Sequence, residues 1–202
     1  MLDYGENIHP EFTRQLSRTE RESLLKQRAG VIWLYGLSGS GKSTLVNALD
    51  RRLYREGFLS IILDGDNLRS GLNNNLGFSD QDRHENIRRA AETAKLLLNN
   101  GIIVLASFIT PRRSLRDLAR KIIGRQDILE VYLQCSLARC AQRDVKGLYR
   151  KAQTGKLAQL TGRDAVFEEP ATADLILDTE AQSQKTCLEQ LYQAVIGRIR
   201  KP

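Results

Sequence analysis

The stretch GLSGSGKS, from Gly36 to Ser43, fits the pattern G-x-x-x-x-G-K-[ST]. An apolar run at residues 31–35 comes directly before it, and a pattern typical of a helix follows it over residues 42–55. A strand, a glycine-rich loop and a helix in this order are the context that a phosphate-binding loop (P-loop) requires. A glycine-rich turn that arose by chance is the alternative, but it does not explain a lysine and a hydroxyl residue at the last two positions.

The residue types of this loop are those that hold a polyphosphate. Its glycines let backbone N–H groups turn inward, and the N-terminus of the following helix adds a partial positive charge. Lys42 supplies a cation for the β- and γ-phosphates, and the hydroxyl of Ser43 can hold Mg²⁺. We therefore expect a nucleoside triphosphate site at this loop.

The composition indicates a globular protein. The 202 residues suffice for one domain with a full core, and the hydrophobic fraction of 41% and charged fraction of 27% are ordinary for such a domain. No stretch approaches the roughly 20 apolar residues of a membrane span, and the acidic residues near the N-terminus do not fit a signal peptide. We expect a cytoplasmic protein without a membrane partner. Cys135, Cys140 and Cys187 are odd in number and lack C-x-x-C spacing, so we interpret them as reduced thiols in the core or on a helix face.

The net charge of +7 allows two interpretations. A basic face can bind nucleic acid, or a positive cleft can attract a small anionic substrate. The aromatic residues do not alternate with the basic ones, as a platform for single-stranded nucleic acid would require. We favour small anions and expect no nucleic-acid partner.

Apolar segments alternate with helical patterns along the chain. The predicted strands are 31–35, 60–63, 102–106, 129–133 and 173–177, and the predicted helices are 19–26, 42–55, 81–99, 114–123, 137–143 and 183–200. This alternation predicts an α/β protein with the three-layer P-loop NTPase fold, in which a parallel five-stranded sheet has helices on both faces. Ligands of such sheets bind outside the carboxyl ends of the strands, so the residues directly after each strand are the first candidates for function.

Two segments stand apart from this alternation. Residues 1–29 are predicted to be an N-terminal accessory segment, in which Thr19 caps the first helix and Glu22 completes a capping box. Residues 30–202 are predicted to be the P-loop kinase domain. Within it, residues 144–170 are basic, hold three glycines and lack a strong apolar period. We interpret them as a mobile lid over the site, and a basic surface helix is the alternative.

Two carboxylates follow the second predicted strand, in the run Asp64-Gly65-Asp66. Because the carboxyl ends of parallel strands meet at one edge of a sheet, we expect this run to lie beside the P-loop. One carboxylate can organise Mg²⁺ through water, and the other can accept the proton of an attacking hydroxyl group. An Asp-rich turn held by its own hydrogen bonds is the alternative.

Residues further along the chain suit an anionic acceptor. Arg69, Arg83 and Asn86 can converge on such a group, and Phe78 can pack on a flat ring. A solvated helix face with ion pairs four residues apart is the alternative, and composition alone slightly favours it. After the third strand, residues 107–113 offer hydroxyl and basic side chains for a phosphate or sulfate contact, unless they only form a turn.

Several longer strings resemble the adenylylsulfate kinase family, which phosphorylates the 3′-hydroxyl group of adenosine 5′-phosphosulfate. They are IWLYGLSGSGKST from Ile32, LDGDNLRSGLN from Leu63, LGFSDQDRHENIRRAAE from Leu76, SFITP from Ser107, RDVKGLYRKAQTG from Arg143 and LTG from Leu160. A P-loop occurs in very many proteins, whereas DGDN-x-R, LGFS-x-x-DR-x-EN and RDVKGLY are far more specific to this family. The resemblance runs from about residue 12 to the C-terminal helix.

The resemblance implies a role for each matching position. The implied ATP-binding residues are Gly36, Leu37, Ser38, Gly39, Ser40, Gly41, Lys42, Ser43, Thr44 and, on the ATP base, Arg143. The implied residues for the adenylyl sulfate are Asp66, Arg69, Phe78, Arg83, Asn86, Ile109, Lys146 and Leu160, with Phe78 on the adenine. Asp66 is the implied base for the 3′-hydroxyl group, Ser43 and Asp64 are the implied Mg²⁺ residues, and Lys42, Asp64 and Thr110 complete the catalytic set.

Three positions depart from the family pattern. Thr110 stands where S-F-I-S-P has its second serine, often described as a phosphoserine; a hydroxyl is kept, although in-line transfer needs no covalent intermediate. Leu160 replaces the aromatic residue of F-T-G, which removes one aromatic face from the adenine site and about 0.5–1.5 kcal/mol of stacking. Residues 163–168, RDAVFE, replace the usual I-D-D-P-Y-E.

Three functions fit these observations. The first is an ATP-dependent adenylylsulfate kinase of sulfate activation, with ATP and adenosine 5′-phosphosulfate as partners, Mg²⁺ as cofactor and, by resemblance, a homodimeric assembly. The second is a P-loop kinase for another small hydroxyl acceptor, and the third is a non-catalytic nucleotide-binding partner of another enzyme. The intact set of Lys42, Ser43, Asp64 and Asp66 argues against the third.

Overall fold

The computed structural model of the protein describes residues 11, 14–155, 160–162 and 165–201. One sheet is formed by five strands: β1 (Gly30–Tyr35), β2 (Ser60–Asp64), β3 (Ile103–Phe108), β4 (Ile128–Gln134) and β5 (Leu175–Asp178). Their order across the sheet is β2-β3-β1-β4-β5, and all neighbouring strands are parallel. The predicted parallel five-stranded sheet is confirmed.

Helices cover both faces of the sheet. In the described part of the chain they are α1 (Arg18–Leu25), α2 (Lys42–Arg55), α3 (Gly65–Arg69), α4 (Asp80–Asn99), α5 (Arg113–Ile123), α6 (Leu137–Arg143), α7 (Leu148–Gln153) and α8 (Gln184–Ile199). A hydrophobic core lies on each face of the sheet. Side chains of β1 enter both cores, because successive residues of a strand point to opposite faces. Trp33 packs with α4 and α5, and Leu34 packs with α2 and α8. Both are fully buried, as expected of a strand that is covered on both sides.

The sequence did not predict two short helices, α3 and α7, although the other elements agree with the structure to within two residues at each end. Helix α3 begins after Asp64, whose carboxylate accepts the N–H two residues later. Helix α7 lies inside the predicted lid, where Tyr149 is buried; lid residues 156–159 and 163–164 lie outside the described residues. Such short helices depend on caps and tertiary contacts that a periodic pattern does not reveal.

The predicted capping box of the first helix is wrong. The Ser17 hydroxyl accepts the N–H of Glu20 at 3.3 Å, and the Glu20 carboxylate accepts the N–H of Ser17 at 2.7 Å, so the cap of helix α1 is Ser17, two residues before the predicted cap at Thr19. Glu22 is instead buried and accepts the N–H of Ala29. The pattern [ST]-x-x-E occurs twice in this segment, as SRTE and TERE, and the sequence alone did not separate the two.

The segment before β1 packs against the amino end of the sheet. Gln27 is fully buried there. Its side chain accepts the N–H of Leu59 at 2.8 Å and donates to the carbonyl oxygens of Leu59 and Gly101, at 3.0 Å and 2.9 Å. These hydrogen bonds join the predicted accessory segment to the predicted kinase domain.

The described residues also bear on two expectations from composition. Cys135, Cys140 and Cys187 are buried free thiols, which confirms their predicted core positions. Burial raises the pKa of Cys140 to about 12. Within the described ranges, we find no helix with the length and apolar character that crossing a membrane requires.

Candidate active site

The P-loop lies between the carboxyl end of β1 and the first turn of α2. Gly41 precedes α2 with a φ of 98°, and within the described residues no side chain caps this helix. The first N–H groups of α2 are therefore available to an anion held by the loop. At Gly39, an added Cβ would lie 2.9 Å from the carbonyl oxygen of Cys140, so only glycine lets the loop pass helix α6.

Lys42 lies inside the loop and is only 8% exposed. Its ammonium group donates hydrogen bonds to the carbonyl oxygens of Gly36, at 2.9 Å, and Leu37, at 2.7 Å. Burial lowers the pKa of Lys42 to about 8, although the nearby carboxylates of Asp64 and Asp66 favour the charged form. The loop thus holds a poorly solvated cation, which a bound polyphosphate would stabilise.

Asp64 joins the P-loop to the acidic run after β2. Its Oδ2 accepts a hydrogen bond from Ser43 Oγ at 3.0 Å, and its Oδ1 accepts the N–H of Asp66, also at 3.0 Å. The second bond is the one expected of an Asp-rich turn. Asp64 therefore stabilises this turn with one oxygen and contacts the P-loop with the other. A hydroxyl and a carboxylate side by side are hard oxygen donors, which fit Mg²⁺ better than a softer metal.

Asp66 contacts the predicted lid across the cavity. Its Oδ2 accepts a hydrogen bond from the ammonium group of Lys146, and the two side chains are 67% and 49% exposed. Because an ion pair as exposed as this one contributes little to stability, it can open at small cost when a substrate enters. The structure therefore brings the predicted base and the predicted oxyanion-binding lysine together.

Phe78 presents an exposed ring beside two arginines. The ring side chain is 56% exposed, and the guanidinium carbons of Arg69 and Arg83 lie 4.5 Å and 5.9 Å from its centroid. Arg69 also donates to the carbonyl oxygens of Leu76 and Gly77, at 2.9 Å and 2.8 Å, which fixes the loop before α4. Burial lowers the pKa of both arginines, which nonetheless stay charged at neutral pH. A flat ring with two cations suits an aromatic, anionic ligand.

Helix α4 contributes Arg83 and Asn86 from its first turns. Arg83 donates to the hydroxyl of Thr161 at 3.0 Å and so links the helix to the segment 160–162. Asn86 is 7% exposed, and its Oδ1 accepts a hydrogen bond from the side-chain amide of Asn73 at 3.0 Å. Each of these two side chains is thus held by a hydrogen bond to a residue outside α4.

The alternative interpretation of this helix, a solvated face with ion pairs, applies to other residues of α4. Glu85 pairs with Arg88 at 2.7 Å and with Arg89 at 2.8 Å. Hydrogen bonds from Arg88 and then Arg89 lower the pKa of Glu85 to about 2. The same helix thus carries a solvated face and a face toward the site.

The P-loop is also held by Arg143, Tyr149 and Thr179, each of which donates to one of its carbonyl oxygens. The acceptors and distances are, in that order, Gly39 O at 3.2 Å, Ser38 O at 2.8 Å and Ser40 O at 2.9 Å. Arg143 donates to the carbonyl oxygen of Thr179 as well. The sequence reasoning missed Tyr149 and Thr179. Thr179 directly follows β5, so the rule of looking after each strand would have found it.

The loop after β3 carries Ile109 and Thr110. The Ile109 carbonyl accepts the N–H of Gly36 at 3.3 Å and ties this loop to the P-loop. Thr110 is 1% exposed, and its hydroxyl accepts the indole N–H of Trp33 at 3.0 Å. The φ of Thr110 is 41°, a left-handed conformation that is costly for a β-branched residue. A buried hydroxyl bound to an indole supports the shape of this loop.

Leu160 belongs to a small hydrophobic core and also lines the cavity of the site. It packs with Cys135, Cys140 and Tyr149 in a small core beside α6 and α7, where it is 6% exposed. It also lines the cavity described next. The position that departs from the family pattern therefore contributes an aliphatic wall and anchors the segment 160–162.

One cavity of about 540 Å³ opens at the carboxyl end of the sheet. Of the predicted site residues, all but Gly36 and Leu37 line it, and these two hold Lys42 through their carbonyl oxygens. The P-loop, the acidic pair and the Phe78 pocket thus share a single space, whose volume is typical of small-molecule sites.

A P-loop, a pair of carboxylates and a basic pocket in one cavity define a kinase that phosphorylates a small acceptor molecule. The model of the family described as adenylylsulphate kinase matches residues 28–178. This match covers most of the chain, and the chain belongs to the adenylylsulphate kinase family.

Individual relatives agree with this assignment. The chain is 48% identical over 200 residues to the adenylyl-sulfate kinase of Bacteroides fragilis, with 99% of each chain covered. It is 52% identical over 196 residues to that of Phocaeicola vulgatus, covering 97% of this chain and 96% of the relative. Among solved structures, the Mycobacterium tuberculosis APS kinase CysC in complex with AMPPNP and APS superimposes with a TM-score of 0.79 at 40% identity, covering 82% of this chain and 96% of that one.

Proposed function

We propose that this kinase transfers the γ-phosphoryl group of ATP to the 3′-hydroxyl group of adenosine 5′-phosphosulfate (APS), giving ADP and 3′-phosphoadenylyl sulfate. One observation carries the proposal: Asp66 and Lys146 meet in the cavity that both the P-loop and the Phe78 pocket line. A base and a cation between a phosphate donor site and an acceptor site suit in-line phosphoryl transfer, in which the hydroxyl loses a proton and the transferring group carries negative charge.

The ATP half of the site is built from the P-loop. The first N–H groups of α2 and the ammonium of Lys42 face the phosphates and stabilise their negative charge. Arg143 ties the carbonyl oxygens of Gly39 and Thr179 together and so shapes the side of the cavity near the turn after β5. We assign this side to the ATP base.

Ser43 and Asp64 would hold Mg²⁺, since their oxygens lie 3.0 Å apart at the mouth of the P-loop. When bound, Mg²⁺ neutralises phosphate charge and orients the β- and γ-phosphates. The Oδ1 of Asp64 meanwhile accepts the N–H of Asp66 and fixes the start of α3. Asp64 thereby sets the distance between the phosphate donor and the base.

The acceptor half holds APS between Phe78 and the arginines of α3 and α4. The adenine packs on Phe78, while Arg69 and Arg83 offset the charge of the phosphosulfate. Asp66 accepts the proton of the 3′-hydroxyl group as that oxygen attacks the γ-phosphorus atom. Lys146, released from Asp66, donates to oxygens of the transferring group or the sulfate. Thr110 acts by positioning the loop, because its hydroxyl is bound to Trp33.

The assembly and location of the protein are further proposals. Family resemblance supports a homodimer, and the composition supports a cytoplasmic protein that binds nucleotides rather than nucleic acid. Light scattering coupled to size-exclusion chromatography tests the first: a mass of twice 22.8 kDa supports the dimer, and a mass of one chain contradicts it.

The proposed reaction is tested by the release of ADP from Mg-ATP with and without APS, over an acceptor range that reaches micromolar concentrations. Strong stimulation by APS, together with formation of 3′-phosphoadenylyl sulfate, supports the proposal. Clear ATP binding without stimulation overturns it. Stimulation by a different hydroxyl compound would then identify a kinase for another acceptor, and its absence with every acceptor would leave a nucleotide-binding protein.

Binding of ATP is expected to take up a proton at about pH 8.5. Lys42 has a pKa of about 8 in the free protein, and the negative charge of ATP raises it, so binding strengthens as the pH falls through this range. Titration calorimetry of Mg-ATP in buffers of different ionisation enthalpy should give an uptake of roughly 0.5–0.8 proton at that pH. At about pH 7 Lys42 is already charged, and its contribution should vanish. Equal uptake at both values would contradict the assignment to Lys42.

Replacing Arg143 with methionine is expected to weaken ATP binding about 5- to 30-fold. The change keeps the aliphatic stem but removes the hydrogen bonds to the carbonyl oxygens of Gly39 and Thr179, which are charge-assisted. The matched control is Arg139→Met, one helical turn away in α6, where the side chain is exposed and contacts Gln142 of the same helix. Fluorescence titration with a labelled ATP analogue measures both. Equal losses in the two variants would mean that the P-loop contact of Arg143 has no special effect.

A further inference from the structure

Asn73 is a buried amide that the proposed mechanism leaves unused. It lies in the loop between α3 and α4, is fully buried, and is not among the residues that line the cavity. Its backbone N–H donates to the carbonyl oxygen of Leu68 at 2.7 Å, which fixes it to the end of α3. Its side-chain Nδ2 donates to Oδ1 of Asn86 at 3.0 Å. Asn73 therefore reaches the site through Asn86.

This contact decides which end of the Asn86 amide faces the cavity. A carboxamide has an oxygen that accepts hydrogen bonds and a nitrogen that donates two. Asn73 binds the oxygen of Asn86 from a position behind the cavity wall, so the nitrogen of Asn86 is the group left to face the cavity that this residue lines. We propose that Asn73 is a positioning residue, which orients Asn86 so that it offers a hydrogen-bond donor to APS. The inference rests on the proposed function.

Two further observations support this assignment. Within the described residues, the Oδ1 of Asn73 is buried without a hydrogen-bond partner, which is a costly arrangement. An apolar side chain at position 73 would avoid the cost of this unpaired oxygen. We therefore attribute the presence of an amide to its nitrogen, which donates to Asn86. Arg69 and Arg83 also line this part of the cavity. With a donor from Asn86, all three side chains offer N–H groups to an anionic nucleotide. An oxygen there would repel the acceptor atoms of that nucleotide.

The substitution Asn73→Asp tests the orientation. When ionised, the new carboxyl group has nearly the shape of the amide but only accepts hydrogen bonds, so Asn86 must then turn its nitrogen toward Asp and its oxygen toward the cavity. With AMPPNP bound, the dissociation constant of APS should rise by about tenfold or more, and the dissociation constant of AMPPNP should stay within about twofold. The variant Asn73→Ala removes the constraint without imposing the reversed orientation, so its effect on APS should be smaller.

Two variants of Asn86 separate orientation from folding. Asn86→Asp retains the hydrogen bond from Asn73 and places a carboxylate oxygen in the cavity, so it should lose APS affinity to a similar extent without disturbing the loop. In an Asn86→Ala background, Asn73→Asp should change the APS dissociation constant less than about twofold, because the group through which it acts is gone.

Three results would overturn the inference. They are equal APS affinities of Asn73→Asp and Asn73→Ala, a parallel loss of AMPPNP binding, or a full effect of Asn73→Asp in the Asn86→Ala background. The unchanged protein is measured first. If it does not bind APS, the proposed function fails and the inference fails with it. If it does bind APS and the variants do not differ from it, the inference alone fails.

Discussion

Replacing Asp66 with asparagine is expected to lower kcat by a factor of about 10² to 10⁴. The amide has nearly the same shape as the carboxylate but cannot accept the proton of the 3′-hydroxyl group at neutral pH. Asp66 is 67% exposed and contacts Lys146 rather than the P-loop, so the dissociation constant of ATP should change by less than about threefold. Steady-state kinetics with APS, together with a direct titration of ATP, measures the two quantities.

The matched control is Asp117→Asn on helix α5. Asp117 is also exposed and also pairs with a basic residue, Arg120, at 2.8 Å, but it does not line the cavity. Its kcat should stay within about twofold of the original value. If Asp66→Asn keeps more than about a tenth of the original kcat, Asp66 is not the base.

Replacing Lys42 with methionine is expected to lower kcat/KM by a factor of about 10³ and at the same time to stabilise the fold. The loss follows because methionine keeps the stem of the side chain but brings no positive charge to the transferring phosphoryl group. The gain follows because Lys42 is 8% exposed and its pKa falls from 10.5 to about 8. Holding that charge costs the folded protein free energy, and its removal should yield roughly 1–2 kcal/mol after two lost hydrogen bonds are counted.

The stability difference should depend on pH in one direction. A lysine with a lowered pKa binds its proton more weakly in the folded protein, so the cost is fully present below about pH 8 and is relieved as the pH rises from about 8 toward 10.5. The advantage of Lys42→Met in urea unfolding should therefore shrink over that range. Lys121→Met, at an exposed position on α5, serves as the control. It should change neither kcat/KM nor the free energy of unfolding. A Lys42→Met variant that is less stable at pH 7 would contradict the argument.

The arrangement of the site around Asp64 could be predicted from the sequence. The run Asp64-Gly65-Asp66 ends β2, and the P-loop follows β1, so the carboxyl edge of a parallel sheet brings them to the same end even though β3 lies between the two strands. The hydrogen bond of 3.0 Å between Ser43 and Asp64 confirms the predicted proximity. Strand ends are reliable guides because their position depends on the sheet and not on side-chain detail.

Other parts of the site could not be predicted, because they depend on contacts between distant residues. The hydroxyl of Thr110 suggests a phosphate contact in sequence, but Trp33 lies 77 positions away and binds it in the fold. Asn73 ends the string LDGDNLRSGLN, but the resemblance implies no role for it, and its contact with Asn86 is formed only in the fold. Helix α7 is six residues long, too short for periodicity to reveal it, and Tyr149 contacts the P-loop from it.

The buried side chain of Gln27 has a consequence for where the protein can be cut. The family match begins at residue 28, yet the side chain of Gln27 binds three backbone groups, two on Leu59 before β2 and one on Gly101 before β3. A chain shortened to the matched region would lose these three hydrogen bonds at the amino ends of two adjacent strands, and among the described residues the Leu59 carbonyl would keep only the N–H of Ile103 at 3.4 Å. We therefore expect the independently folding unit to include Gln27, so the boundaries of the family match are narrower than those of the cooperative structure.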